Sequence, residues 1–237
     1  MDSILAPLDK TRITTGILYE RVKPFANIDL FNISSSNPFV SENSYFRQAY
    51  LELYTAAYNT SGWLKPKELS DWIDAQNLEA KYNVGVLDYQ FNMIDSNAIQ
   101  SNLLTFSNNQ FHDVTGAPTP FYTKRLQVAA LLKDEIPNGY VTLRYNSNFF
   151  KTNQSVQISS IILNFGTIGS YTLTPSTPYV VVNFTGSGVI NFNITVQYTN
   201  GSSFSNASSV QIGNNSNTYT GKISSEVPEP STYQKTI

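Results

Sequence analysis

The chain has 237 residues, of which 41% are hydrophobic and 13% aromatic, so it can bury a real core and is not a disordered tail. Charged residues make up only 14% and the formal net charge is −2, which leaves no electrostatic footprint for nucleic acid or an anionic membrane. The absence of cysteine excludes disulfides and thiolate metal sites, and no apolar run is long enough to insert across a bilayer.

Polarity comes instead from Asn, Ser and Thr, with Asn alone roughly a tenth of the residues against a usual few per cent. Met1–Arg12 lacks a basic segment followed by an apolar one, so no signal peptide is expected there. The distribution of charge is uneven. From Asn153 to Gly221 there is no Asp, Glu, Lys or Arg, whereas the part up to Glu135 carries most of them. Such a shift marks a boundary, and Asp134-Glu135-Ile136-Pro137-Asn138-Gly139 offers turn chemistry for one. The expected organisation is an α+β region over 1–135, an all-β antiparallel sandwich over 136–223 and a linker over 224–237.

In chain order, the first 40 residues read as an extended arm interrupted by Pro7, Pro24 and Pro38, with Ser34–Asn37 as loop. A helix is predicted over 42–58, where Phe46, Ala49, Tyr50, Leu53 and Ala57 recur at helical spacing. Pro66 suits the first position of a second helix, predicted to about Lys81, with Leu69, Trp72 and Ile73 as its apolar stripe. Together they suggest an αα-hairpin. The period then changes to two. Leu87, Tyr89, Phe91 and Met93 fall on one face, and Asp88, Gln90 and Asn92 on the other, which predicts a half-buried strand with the second set in solvent. Phe121–Leu132 fits helix or strand, and strand is preferred because Tyr140–Tyr145 follows across a Pro-Asn-Gly turn.

The last part alternates most regularly. Ile190, Phe192, Ile194, Val196 and Tyr198 interleave with Asn191, Asn193, Thr195 and Gln197, and Asn200-Gly201 is the favoured pair for a tight hairpin turn. With Tyr140–Tyr145, Val156–Phe165, Tyr171–Thr174, Pro178–Phe184 and the return strand through Phe204, Val210 and Ile212, this describes an antiparallel sandwich.

Residues 153–212 resemble a polycystic-kidney-disease (PKD) repeat, an immunoglobulin-like module. Ile161–Gly166 stands where that family has its strand and turn, and Gly188 through Gly201 matches its long strand and hairpin. Leu163, Asn164 and Thr167 replace the family's aromatic and two acids, so the resemblance implies a fold without a cation site. The segment Thr15-Gly16-Ile17-Leu18-Tyr19-Glu20-Arg21-Val22, with Pro24, resembles the mature start of large exported Bacteroidota proteins that use type IX secretion. That resemblance implies an extracellular or cell-surface location, within a longer polypeptide whose other domains are partners.

Catalytic chemistry finds little support. His112 is the single histidine, lies in an Asn-rich stretch and reads as a solvated or capping imidazole, and no Gly-x-Ser-x-Gly elbow accompanies it. Asp71 and Asp74 can share a helix face, but solvated helix charges explain them better than a glycosidase pair. No metal or cofactor motif occurs. Tyr171 and Tyr179, on or beside sandwich strands, are the candidate ligand-binding residues, because tyrosine faces stack on sugar rings. The expectation is a non-catalytic structural or interaction module of a secreted or cell-surface protein, with a surface glycan or protein as further partner. The alternatives are an accessory region of a secreted hydrolase, or a carbohydrate-binding module.

Overall fold

The computed structural model describes residues 2–31, 40–76 and 81–213. The chain is mostly β, in antiparallel-rich sheets. A short helix α1 (Asp2–Leu5) opens it, and α2 (Asn43–Ala56) and α3 (Pro66–Gln76) form the expected helical pair. Eleven strands follow: β1 (Lys81–Ile94), β2 (Leu104–Ser107), β3 (Gln110–Asp113), β4 (Phe121–Leu131), β5 (Glu135–Pro137), β6 (Gly139–Thr152), β7 (Ile158–Asn164), β8 (Ser170–Leu173), β9 (Tyr179–Phe184), β10 (Gly188–Tyr198) and β11 (Ser203–Gly213). One sheet has the order β4-β1-β6-β9, a second β5-β11-β10-β7-β8, and β2-β3 is a separate ribbon.

The two large sheets pack face to face. Their shared core takes Val84 and Val86 from β1, Val141 and Leu143 from β6, and Ile161, Leu163, Ile194 and Val196 from the facing sheet. The opposite face of β1 and β4 is covered by the helices and the arm, through Phe46, Leu53, Leu69 and Ile73 against Leu87, Phe91, Leu126 and Val128. The result is three layers, helical, four-stranded and five-stranded, with β1 covered on both sides. Packing is close at Gly85, where an added Cβ would lie 2.7 Å from Leu132 and 2.8 Å from the Phe46 ring.

This layering corrects the expected solvent face of β1. Asp88 and Asn92 are buried and only Gln90 is partly open, because the second sheet meets Asp88 through Tyr198 and the arm covers Asn92. The division expected at 135/136 runs through the four-stranded sheet, whose β1 and β4 precede it and whose β6 and β9 follow it. Pro137-Asn138-Gly139 does not close a hairpin; it carries the chain from β5 in one sheet to β6 in the other, and β4 pairs with β1 instead. Phe121–Leu131 is a strand, as preferred. The β10–β11 hairpin keeps the expected register, with Phe192, Ile194, Val196 and Tyr198 buried and Asn191 and Asn193 exposed. Gly201 at φ 85 makes its tight turn. The Ser34–Asn37 loop and the 224–237 linker lie outside the described residues.

The arm is a strap rather than a loose extension. Leu5, Leu8, Ile13, Ile17, Leu18, Tyr19, Val22 and Ile28 are all buried. Many of its polar contacts come from the Thr15–Arg21 stretch. The backbone N–H and hydroxyl of Thr15 donate to Asn92 Oδ1 at 3.0 and 2.8 Å. The Tyr19 hydroxyl donates to Glu52 at 2.9 Å, Glu20 accepts the Ile94 N–H at 2.8 Å, and Arg21 donates to the Ala56 carbonyl at 3.0 Å, capping α2. Glu52, buried on α2, also accepts the N–H groups of Phe25 and Ala26 at 2.6 and 2.5 Å. Burial and the adjacent Glu52 carboxylate push the Tyr19 phenol upward, which keeps it a donor.

Two expectations follow. A fragment of residues 136–213 lacks half of the four-stranded sheet and should show no cooperative thermal transition by circular dichroism; a sharp, reversible melt would mean that the second sheet stands without β1 and β4. Glu52→Ala orphans three donors and should cost about 2–4 kcal/mol in urea unfolding. The same variant should speed chymotrypsin cleavage after Phe25, an exposed residue whose N–H Glu52 holds, under native conditions, and an unchanged cleavage rate would show that Glu52 does not hold the arm.

Candidate functional site: a buried carboxylate and two open sheet faces

Asp88 is the most constrained ionisable group. Its side chain is 0% exposed and that of Arg125, its ion-pair partner across β1 and β4, is 36% exposed. Arg125 donates Nε to Oδ1 and an Nη to Oδ2, each at 2.7 Å, a bidentate fork. The Tyr198 hydroxyl reaches over from the facing sheet and donates to Oδ2 at 2.5 Å. The Asp88 contact holds Arg125 above its ordinary value, and burial, with the Asp88 carboxylate, pushes the Tyr198 phenol well up. Arg and Tyr therefore remain donors and Asp88 accepts from both. This is a fastener between the sheets.

A second fastener closes the other open edge near it. Asn206 on β11 accepts the Ala129 N–H at 2.7 Å and donates to the Gln127 carbonyl at 3.3 Å, so one amide side chain pairs the free edge of β4 as a strand would.

The remaining sequence candidates are accounted for individually. His112 lies on β3, not in a loop; Asn108 and Asn109, at φ 51 and 59, make the two-residue turn of the β2–β3 ribbon. Its neighbour Asp113 is held by Arg12 at 2.5 Å and by the Asp9 N–H at 2.7 Å, so it does not orient the imidazole. Asp71 pairs with Lys67 and Asp74 with Arg47, each at 2.6 Å on the helix surface. Tyr171 and Tyr179 are not brought together. Tyr171 pairs with Leu163 at the rim of the core, half-buried, with its hydroxyl on the Ile168 carbonyl at 3.2 Å. Tyr179 stands on the outer face of β9 in the other sheet and is 60% exposed.

Two sheet faces stay open. The outer face of the five-stranded sheet carries Asn164, Asn191, Asn193, Thr195, Gln197 and Ser205. Across it, Thr195 and Ser205 share a 2.7 Å hydroxyl bond. Ala207, small between Val40 and Asn193, floors a shallow depression of about 430 Å³ that Asn164 and Asn191 also line. The outer face of β6 and β9 carries Tyr140, which is 76% exposed, with Tyr179 and Val181. Tyr140 was legible as an aromatic out of phase with Val141 and Leu143, the apolar residues of its strand.

Comparison with known proteins finds no match: no family model, curated protein or solved structure corresponds to this chain.

Replacing Asp88 by Asn keeps the shape, removes the charge from the fork and leaves Arg125 without its counter-ion. Because Arg125 can rehydrate at its open side, the expected loss is about 2–3 kcal/mol, below that of a fully buried pair. Tyr198→Phe should cost about 1.5–3 kcal/mol, the value of a hydrogen bond to a charged group. Chemical denaturation measures both. A double variant no worse than the poorer single one would show that the two act through one network.

Proposed function

We propose that the chain is a non-catalytic structural or interaction module of a larger secreted or cell-surface protein. The observation that carries this reading is the outer face of β7, β10 and β11, whose own side chains are mostly neutral amides and hydroxyls, with Glu42, held by Ser209, as a carboxylate at its border. A face whose strands carry no charge of their own has little for changing pH or salt to alter, which suits a surface in contact with an uncontrolled medium. The immunoglobulin-like, PKD-like reading of the sandwich belongs to the same proposal. It is supported by the 3.0 Å Asx turn from Gly166 N–H to Asn164 and by the buried Phe165 between them. The Thr15–Arg21 resemblance to exported Bacteroidota proteins points the same way, and other domains of the same polypeptide are then its neighbours.

Protease treatment of intact source cells tests the setting. The chain should be degraded or shed from whole cells, or recovered from their medium, while a cytosolic marker stays intact. Full protection until lysis, with none in the medium, would sink the proposal. Turnover of an ester, peptide or glycoside panel by the purified chain, abolished in His112→Ala or Asp71→Ala, would establish an enzyme instead.

A further inference from the structure

We propose that the outer face of β6 and β9 is a binding platform for a neutral, extended polysaccharide, with Tyr140 and Tyr179 as its two contact points. The biological setting rests on the interaction-module reading above; the chemistry of the face does not.

Three cross-strand rungs make up the platform: Tyr140 opposite Asn183, Thr142 opposite Val181, and Arg144 opposite Tyr179. Their orientation follows from their neighbours, since Val141, Leu143 and Val182 point into the core and are buried. The period of two then puts the six rung residues on the opposite face. The helical layer does not reach them. Trp72 of α3 packs on Phe149 at 5.1 Å, and the Gln76 carbonyl at the end of that helix accepts from Arg144 at 2.9 Å, so among the described residues the cover stops at the Arg144 rung. Beyond it Tyr140, Tyr179 and Val181 are 76%, 60% and 54% exposed. Three large apolar side chains on adjacent strands of one face form a patch, which a scatter of single exposed residues does not.

The chemistry of the patch selects its occupant. A tyrosine ring offers an apolar face with a polar tip, the complement of a sugar ring with its C–H faces and hydroxyl rim. Thr142 and Asn183 add a hydroxyl and an amide, and none of Tyr140, Thr142, Tyr179 and Asn183 uses its side-chain polar atom on another described residue. No carboxylate lies on the three rungs; Arg144 already donates to the Gln76 carbonyl, and Lys81 of β1, beside Thr142, stands at the border of the face. A cationic polymer finds no complement there, and a polyanion would meet a single border ammonium against two aromatic rings. Geometry narrows the choice again. The tyrosine rungs are four residues apart along β6, about 13 Å at roughly 3.3 Å per residue. A single sugar cannot meet both, so the ligand is a chain lying along the strands. An extended peptide would bring unpaired backbone N–H and C=O groups, which the free edge of β9 would satisfy and the side chains of its face would not.

Affinity electrophoresis of the whole chain through native gels containing xylan, glucomannan, hydroxyethylcellulose or amylopectin tests the platform. At least one polymer should retard it. Tyr140→Ala and Tyr179→Ala should each weaken the interaction about tenfold or more, and the double variant should abolish it. Tyr140→Phe should retain it within about twofold. Both tyrosines are exposed, so far-UV circular dichroism and melting temperature should not move, which separates lost binding from lost folding. Retardation by none of the four polymers, or retardation that survives the double variant, would overturn the proposal. So would retardation confined to an anionic polymer such as dextran sulfate. Concentration-dependent self-association that vanishes in the double variant would overturn it in favour of a contact between copies. Failure here leaves the protease result on intact cells standing, and protection in cells leaves this platform measurable with purified chain.

Discussion

Covering β1 on both faces removes water from most of the side chains it carries, and the rest of the molecule is arranged to make that tolerable. A strand in the middle of three layers should read as continuously apolar, yet β1 carries Asp88 and Asn92, both buried. Each must find partners inside, since an unpaired buried polar group costs about 1–3 kcal/mol and an unpaired charge more. Asp88 recruits Arg125 from the neighbouring strand and Tyr198 from the opposite sheet. Asn92 recruits Thr15 from the arm and Thr123 from β4. The two polar residues thereby decide what lies on either side of the strand. One fixes the second sheet, the other the strap.

The strap has a comparable logic. The segment Thr15–Arg21, which carried the resemblance to exported proteins, is folded so that successive side chains fasten different elements: Thr15 to β1, Tyr19 to the middle of α2, and Arg21 to its C-terminus. Glu20 reaches Ile94 at the end of β1. Short motifs of this density are usually read as functional. Here each residue has a structural partner, so the motif closes the helical layer onto the sheet. It lines neither of the open faces.

Local pattern was legible where one face meets water. The β10–β11 hairpin has apolar and polar residues in strict alternation and a turn pair that permits only one register, so burial could be read directly. The helices were legible for the same reason. What escaped was pairing between distant strands. The parallel contact of β1 with β6 leaves no turn signature, and it joins residues on both sides of the composition shift that suggested a boundary. Charge thins out after Asn153 because the outer face of the second sheet is neutral, not because a new core begins there. Asp88 could have been placed from its own phase. Tyr82, Val84 and Val86 precede it at alternate positions, an apolar run on the supposed solvent side that required cover. The short ribbon around His112 was missed because Asn108-Asn109 reads as loop composition, although two asparagines at positive φ make a hairpin turn.

The same accounting explains why the binding tyrosines were only half found. Tyr171 and Tyr179 are close in sequence, and a reading by proximity puts them in one site. The chain changes sheets between them, β8 ending the five-stranded sheet and β9 the four-stranded one. A sheet change turns sequence neighbours to different surfaces, and Tyr171 becomes a rim residue braced on Phe165 while Tyr179 faces outward. Its true companion is Tyr140, distant in sequence and two rungs away in space, because β6 is the strand that β9 pairs with. In a β protein the unit of surface recognition is the cross-strand neighbourhood. Side chains of exposed edge strands should therefore be assigned to sites only after their pairing is known. By that criterion β9 differs from the opposite edge. The edge of β4 is met by Asn206, which satisfies the Ala129 N–H and the Gln127 carbonyl, and its outer face lies under the helices. Among the described residues no side chain performs that service for β9, and its outer face has no layer above it. The sandwich is sealed on one side and presents tyrosine on the other.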